Sequence, residues 1–335
     1  SLKLRCTGSE CGDSAELGDD MIEEYTLDVP RAGPATLTAP SIWGLIRGME
    51  TFAQMVEEHP PSVAQGRASA ASGLFMRAVP VVVQDRPRWS YRGLLLDTAR
   101  HFMPLSVLRK QLDGMAASKF NVMHWHVHDS GAWSLESESL PGLADAAVTP
   151  GWQYSHAEVK DLVSYARDRG IRVIPEFESP AHANALYKAA PEMATQCYVD
   201  YQRTMPIQGE MNPCAGATRK TMTGLLAEFS SVFDDKRVHL GGDEMSYACW
   251  SQDAAVKPGC AFDTSSPPNE TTFSQLEERF EKELHAELAS HGKSPIHWHD
   301  PITERNIDYN RSTLIEVWDA NPDVLAQVLQ LGYPA

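Results

Sequence analysis

Residues 238–245 read Val-His-Leu-Gly-Gly-Asp-Glu-Met. A short apolar run gives way to two glycines and then two adjacent acids, the pattern of a strand that ends at a site. Neighbouring side chains inside a regular strand point to opposite faces, so Asp243 and Glu244 can converge on one ligand only beyond the strand's end. Gly241 and Gly242 supply the backbone freedom for that turn and leave room for a ligand beside the main chain. An acidic surface turn is the plain alternative, because acids are common in turns after strands.

Outward from this stretch the same grammar recurs. Strands are expected at 93–96, 121–127, 172–177, 238–240, 294–298 and 313–317, and helices near 105–118, 156–169, 221–233, 272–291 and 322–331. Alternation on that scale implies a parallel sheet with helical crossovers. The polar and aromatic residues gather at the strands' C-terminal ends: Asp97, residues 126–129, Glu176, Glu178, Asp243 with Glu244, Trp298 with His299, and Trp318. A (β/α)8 TIM barrel assembles its site at that end. Six such strands are legible, short of the eight that close a barrel. The remainder is expected from another chain, from a C-terminal part missing here, or not at all.

Residues 1–88 have a different texture and are expected to form a small α+β domain before the barrel of 89–335. Residues 24–29 alternate like a strand, 36–38 fit a second, and 42–57 has a helical spacing that would put Trp43, Ile46, Met49, Phe52, Ala53 and Val56 on one face. His59-Pro60-Pro61 stops that helix, and a Gly, Ser and Ala-rich stretch precedes a strand at 79–83.

Composition narrows the function class. The chain has 335 residues, 42% of them hydrophobic and 22% charged, which is globular. A formal net charge of -16 lacks the basic footprint of a nucleic-acid binder and gives an anionic membrane nothing to attract. No apolar run reaches membrane-spanning length. Six cysteines (Cys6, Cys11, Cys197, Cys214, Cys249 and Cys260) fit no zinc-finger spacing, and two sequons begin at Asn269 and Asn310. Together with the acidic balance they point to a lysosomal or secreted compartment. Ser1 opens the sequence without a signal peptide, so any such segment is expected to have been removed or omitted.

Six ordered segments carry a specific resemblance: WGLIRGMETFAQMV (43–56), RGLLLDTARHFMP (92–104), KFNVMHWHVHD (119–129), RGIRVIPEFESPAHA (169–183), HLGGDE (239–244) and TLIEVW (313–318). With them the chain resembles the family 20 glycoside hydrolases, the β-N-acetylhexosaminidases, over nearly its whole length. The resemblance implies hydrolysis of terminal β-linked N-acetylhexosamine from glycans with retained configuration, without cofactor or metal. In this family the sugar's own acetamido oxygen is the nucleophile. Glu244 would be the general acid and then base, and Asp243 would hold the acetamido N–H and stabilise the oxazolinium. Arg92 would bind sugar hydroxyls, Asp129 and His182 would tune the general acid, and Trp298 and Trp318 would wall the pocket. By residue type alone, Arg92 reads more readily as a structural ion-pair residue, His182 as a satisfied loop histidine, and the tryptophans as core.

The resemblance further implies a Cys197–Cys249 disulfide, leaving Cys214 for Cys260 and Cys6 for Cys11 or a partner upstream. It also implies a companion C-terminal chain or a homo- or heterodimer subunit. Ser130 stands where the commoner pattern has a second acid, so subsite preference is expected to differ. His124, His126 and His128 alternate along one strand and could ligate zinc as in metal-dependent amidohydrolases, but the later strand ends offer mainly acids and tryptophans. A non-catalytic carbohydrate-binding or structural protein on the same scaffold is the rival reading, since fold and motif do not guarantee turnover.

Overall fold

The computed structural model describes residues 1–12, 15–58, 74–198, 206–256 and 270–335. Contacts divide the chain into two compact units: residues 1–94 with 109–122 and 165–172, and residues 95–108, 123–164 and 173–335.

The first unit is built on a four-stranded sheet in the order β1-β3-β2-β6, from β1 (Leu2–Glu10), β2 (Tyr25–Val29), β3 (Ala35–Ser41) and β6 (Val81–Asp85). β4 (Glu57–Glu58) and β5 (Leu74–Phe75) form a separate two-residue ladder. Alternate residues Tyr25, Leu27 and Val29 of β2 and Ala35, Leu37 and Ala39 of β3 are buried in one cluster, the period-2 signature of a half-covered sheet. Helix α1 (Ile42–Gln54) covers it, and the Ser41 hydroxyl caps its start by accepting from the Gly44 N–H at 3.0 Å. The buried face agrees with the expected one at Trp43 and Phe52 and differs from it elsewhere. Met49 and Ala53 are exposed, while Leu45, Phe52 and Met55 pack on the sheet. Gly48 faces the sheet: a Cβ there would lie 2.3 Å from Leu37 Cδ1, so the glycine lets helix and sheet approach closely. β1 alternates Leu2, Leu4 and Cys6 with Lys3, Arg5 and Thr7 over its first half but is mostly exposed, and the sequence reading did not assign it.

The second sheet is parallel, with six strands in chain order: β7 (Gly93–Asp97), β8 (Val122–His126), β9 (Arg172–Glu176), β12 (Arg237–His239), β13 (Ser294–Trp298) and β14 (Leu314–Glu316). Helices α2 (Leu105–Ala117), α3 (His156–Arg167), α4 (Gly216–Ser230) and α6 (Glu270–Ser290) make the crossovers, and α8 (Pro322–Gln330) follows β14. A strand-to-strand order that follows the chain is that of consecutive βα units in a (β/α)8 barrel. Short α5 (Ala248–Gln252) and α7 (Asp300–Thr303) follow β12 and β13.

On β8 the alternation sorts two environments. Met123 and Trp125 are buried away from His124 and His126, and Trp125 packs edge-on against Tyr154 and Phe233. The imidazoles face the acids of the other strands. An antiparallel hairpin, β10 (Ala194–Tyr198) with β11 (Pro206–Met211), follows β9 and is tied to α5 by the Cys197–Cys249 disulfide. Cys6 pairs with Cys11. The suggested pairing of Cys214 involves Cys260, which lies outside the described residues, as does the sequon residue Asn269. Asn310 is exposed, and its Oδ1 accepts from the Ser312 N–H and hydroxyl. Among the described residues no helix is long and apolar enough to cross a membrane.

Candidate active site

After β12 the chain turns through Gly241 and Gly242 at φ 67° and 98°. A Cβ at Gly241 would lie 1.8 Å from Glu178 Oε2, so both conformation and space require glycine here. Glu244 itself holds left-handed backbone, φ 50°, a cost of about 1–2 kcal/mol for a residue with a side chain. His182, after Pro180, is also left-handed at φ 51°. Its Nε2 lies 3.1 Å from Glu244 Oε2 and 3.6 Å from Asp243 Oδ2, while Nδ1 lies 3.8 Å from Asp129 Oδ2. Strain on both partners of one hydrogen bond is the kind that accumulates at functional sites.

The two neighbouring acids occupy unequal environments. Glu244 is exposed, whereas Asp243 is partly buried. Burial pushes the Asp243 carboxyl up, and His182 pulls it back. Asp243 Oδ1 is buried with no hydrogen-bond partner among the described residues. A buried acceptor left open is costly unless a ligand donor reaches it. This arrangement is not that of a solvated acidic turn.

Beneath the turn lies a layer of imidazoles and carboxylates. His126 Nδ1 lies 2.5 Å from Glu176 Oε2, and its Nε2 lies 3.2 Å from Asp129 Oδ2. Burial opposes the His126 charge, but Asp129 and Glu176 prevail and push the group up to about 9. His124 lies 2.9 Å from Glu176 Oε2 and 3.3 Å from Glu316 Oε2, out of line for hydrogen bonding, and stacks on His239 at 4.7 Å. Burial works against its charge too, yet these carboxylates push it up to about 10. The third histidine behaves differently: burial drives His128 down to about 3, and its Nδ1 accepts the Glu178 N–H. His124 and His126 are therefore ion-paired with carboxylates, and His128 is packed against Trp133. Glu178 is fully buried, and burial together with Glu176, Asp243 and Asp129 holds its carboxyl well above the ordinary range. A carboxyl whose charge is disfavoured thus sits against the Gly241 backbone.

One expected site residue lies at the far end of its strand, and a second arginine stands at the near end. Arg92 precedes β7, at the end opposite to the one where the acids collect, and its guanidinium is occupied by Glu23 (2.6 Å) and by the carbonyls of Lys119 and Trp89 (2.8 Å each). Asn121 and Arg47 share the same buried Glu23. Arg92 is an ion-pair residue of the first unit, and a five-residue strand of roughly 17 Å separates it from the site end. Arg100 lies just past the other end of β7. It lies 2.9 Å from Asp97 Oδ2 and 2.5 Å from Asp129 Oδ2, with about half its side-chain surface exposed. Asp97 Oδ1 also accepts the N–H groups of Ala99 and Arg100, which fixes the direction of the arginine. The sequence signal was position alone: of the two arginines in RGLLLDTAR, the second lies past the strand's C-terminal end.

Trp298 is buried in the layer and donates Nε1–H to Glu176 Oε1 at 2.8 Å. Trp318 is 55% exposed and donates to Asp300 Oδ2 at 2.9 Å. Asp300, missed in the sequence, also receives the Glu244 N–H at 3.4 Å. It therefore couples the exposed indole to the acid-bearing turn. The structure brings together Asp243, Glu244, His182, Asp129, Trp298 and Trp318, and leaves Arg92 outside.

Comparison with known proteins agrees with this geometry. Residues 89–335 match the model of the glycosyl hydrolase family 20 catalytic domain, and residues 3–55 match a model described as beta-acetyl hexosaminidase like. The human beta-hexosaminidase subunit beta is 32% identical over 97% of this chain and 55% of its own length. The mouse subunit alpha is 34% identical over 95% of this chain and 56% of its length, so the chain spans a little over half of these curated relatives. A chitobiase structure from Flavobacterium johnsoniae superposes with a TM-score of 0.80 at 28% identity, covering 99% of this chain and 48% of that one. With a family model matched across its whole barrel portion, the chain belongs to glycosyl hydrolase family 20.

Proposed function

We propose that the protein is an exo-β-N-acetylhexosaminidase that removes terminal β-linked N-acetylglucosamine or N-acetylgalactosamine by a substrate-assisted, retaining mechanism. The observation that carries this reading is the pairing of an exposed Glu244, held by His182, with a neighbouring Asp243 whose buried Oδ1 awaits a donor. The acetamido oxygen attacks the anomeric carbon as Glu244 gives its proton to the departing glycosidic oxygen. Asp243 accepts the acetamido N–H and balances the charge of the oxazolinium. Glu244, now a carboxylate, takes a proton from the water that attacks the same carbon and reopens the ring.

Asp129 and His182 tune Glu244 through the chain of contacts described above, and Arg100 replaces Arg92 as the group that binds sugar hydroxyls. Trp298 and Trp318 offer apolar surfaces to the sugar face and the acetamido methyl. Residues 1–88 form the accompanying domain and 89–335 the catalytic one. The relatives' description as alpha and beta subunits supports a role as one subunit of a dimer acting on N-acetylhexosamine-terminated glycans. Two disulfides support a lysosomal or secreted location, with glycosylation at Asn269 and Asn310. The test is turnover of a chromogenic N-acetylglucosaminide. Glu244→Gln is expected to lower kcat by about 10²–10⁴-fold while retaining binding. Sugar binding by the unaltered protein without turnover would reassign it as a carbohydrate-binding protein.

A further inference from the structure

Residues on β13 alternate between two sides. Trp298 faces the His and Glu layer, and its neighbour His297 faces α6. There His297 meets Glu281 and His285, one helical turn apart on the same face of α6, an i, i+4 spacing that brings side chains together. One ligand atom from each of the three lies within 4.8 Å of the others. The two Nε2 atoms of His285 and His297 point at one another 2.8 Å apart, and Glu281 Oε2 lies 3.8 Å from His297 Nε2. Ligand atoms about 2.0–2.1 Å from a tetrahedral zinc ion are about 3.3 Å from each other. The two separations from His297 bracket that value, and the Glu281–His285 separation lies within 4.8 Å.

Three further features fit a metal better than a plain hydrogen-bonded cluster. His297 Nδ1 faces the Gly241 carbonyl at 3.2 Å, which turns its Nε2 towards the cluster, and the Ser179 hydroxyl donates to Glu281 Oε1 at 3.1 Å. Metal-bound imidazoles and carboxylates are commonly oriented by such outer hydrogen bonds. Glu277 and Glu281 are both buried on α6, and Arg305 is engaged with Glu277 at 3.1 Å, so the guanidinium answers one carboxylate and a divalent ion would answer the other. Tyr309 stacks on His297 at 4.6 Å and lies tilted against His285 at 5.0 Å, and its buried hydroxyl has no partner among the described residues. His285 is only half-buried, which leaves an entry path from the helix side.

We propose that Glu281, His285 and His297 bind one divalent transition-metal ion of the zinc class, fastening α6 to β13 behind the Gly241–Gly242 turn. The site is structural and independent of the sugar chemistry. Its test is titration of the chelator-stripped full chain with Co²⁺ and Zn²⁺, read by visible absorption, by metal content after desalting and by thermal unfolding. One ion per chain, a tetrahedral Co²⁺ spectrum and a raised Tm are expected. Glu281→Gln, nearly isosteric, and His285→Leu should each weaken binding by at least about 100-fold, whereas His182→Gln, which alters the separate cluster at Glu244, should leave it in place. A folded wild-type chain that gives substoichiometric metal and no visible band overturns the proposal. So does binding that survives His285→Leu but is lost in His182→Gln.

Discussion

Replacing Gly241 by alanine isolates what shapes the acid-bearing turn. At φ 67° the added Cβ costs about 1–2 kcal/mol in backbone strain. It would also stand 1.8 Å from Glu178 Oε2 and 2.7 Å from its carboxyl carbon. Glu178 is fully buried, so relief requires overpacking, typically about 1–3 kcal/mol. The sum is about 2–5 kcal/mol in the wild-type background. In a Glu178→Ala background the clash disappears and only the strain remains, so the same glycine substitution should cost about 1–2 kcal/mol. Urea unfolding of the four proteins gives the coupling energy directly. Equal costs of Gly241→Ala in both backgrounds would refute the claim that the Glu178 carboxyl dictates this glycine.

The remaining expectations concern roles and pH. Arg100→Lys keeps a charge but loses the planar fork, so kcat/KM should fall by about 10–100-fold. Arg92→Lys should leave kcat/KM within about two-fold and lower the Tm instead; the reverse pattern in steady-state kinetics and melting would restore Arg92 to the site. His126 and His124, pushed up to about 9 and about 10, contribute stability that is complete below the unfolded value of about 6.5 and is lost as pH rises through 9 to 10. His128, driven down to about 3, works in the opposite sense, with a contribution complete above about 6.5 and lost as pH falls towards 3. Denaturant midpoints measured from pH 4 to 10 should therefore peak between about pH 6 and 7, and a maximum above pH 9 would contradict the assignment of charged His124 and His126.

Much of the architecture was legible because each barrel strand is a short apolar run that ends in polar residues, and six repeats of that pattern fix a parallel sheet. The acid pair was legible for a local reason as well, since paired glycines before paired acids leave few other backbone solutions. What escaped depends on tertiary contact. Arg92 and Arg100 flank the same strand, and only the fold shows that Glu23 holds the first while Asp97 and Asp129 hold the second. Asp300 carries no local pattern that marks it, yet it joins Trp318 to Glu244. On α1, Gly48 meets Leu37, a contact that helical periodicity does not encode. The cluster of Glu281, His285 and His297 joins a helix to the strand after it, and its members are too far apart in sequence to read as a motif.

The central claim is that the substrate's acetamido group is the nucleophile and Asp243 its holder. The most direct measurement compares turnover of chromogenic substrates carrying acetamido, difluoroacetamido and trifluoroacetamido groups, in the wild-type protein and in Asp243→Asn. Fluorine weakens the amide oxygen, so kcat/KM should fall steeply along the series in the wild-type protein, and Asp243→Asn should lower turnover of the acetamido substrate by about 10²–10³-fold, the scale of one lost electrostatic contact at a charged intermediate. Equal turnover across the series, with Asp243→Asn near wild type, would contradict it.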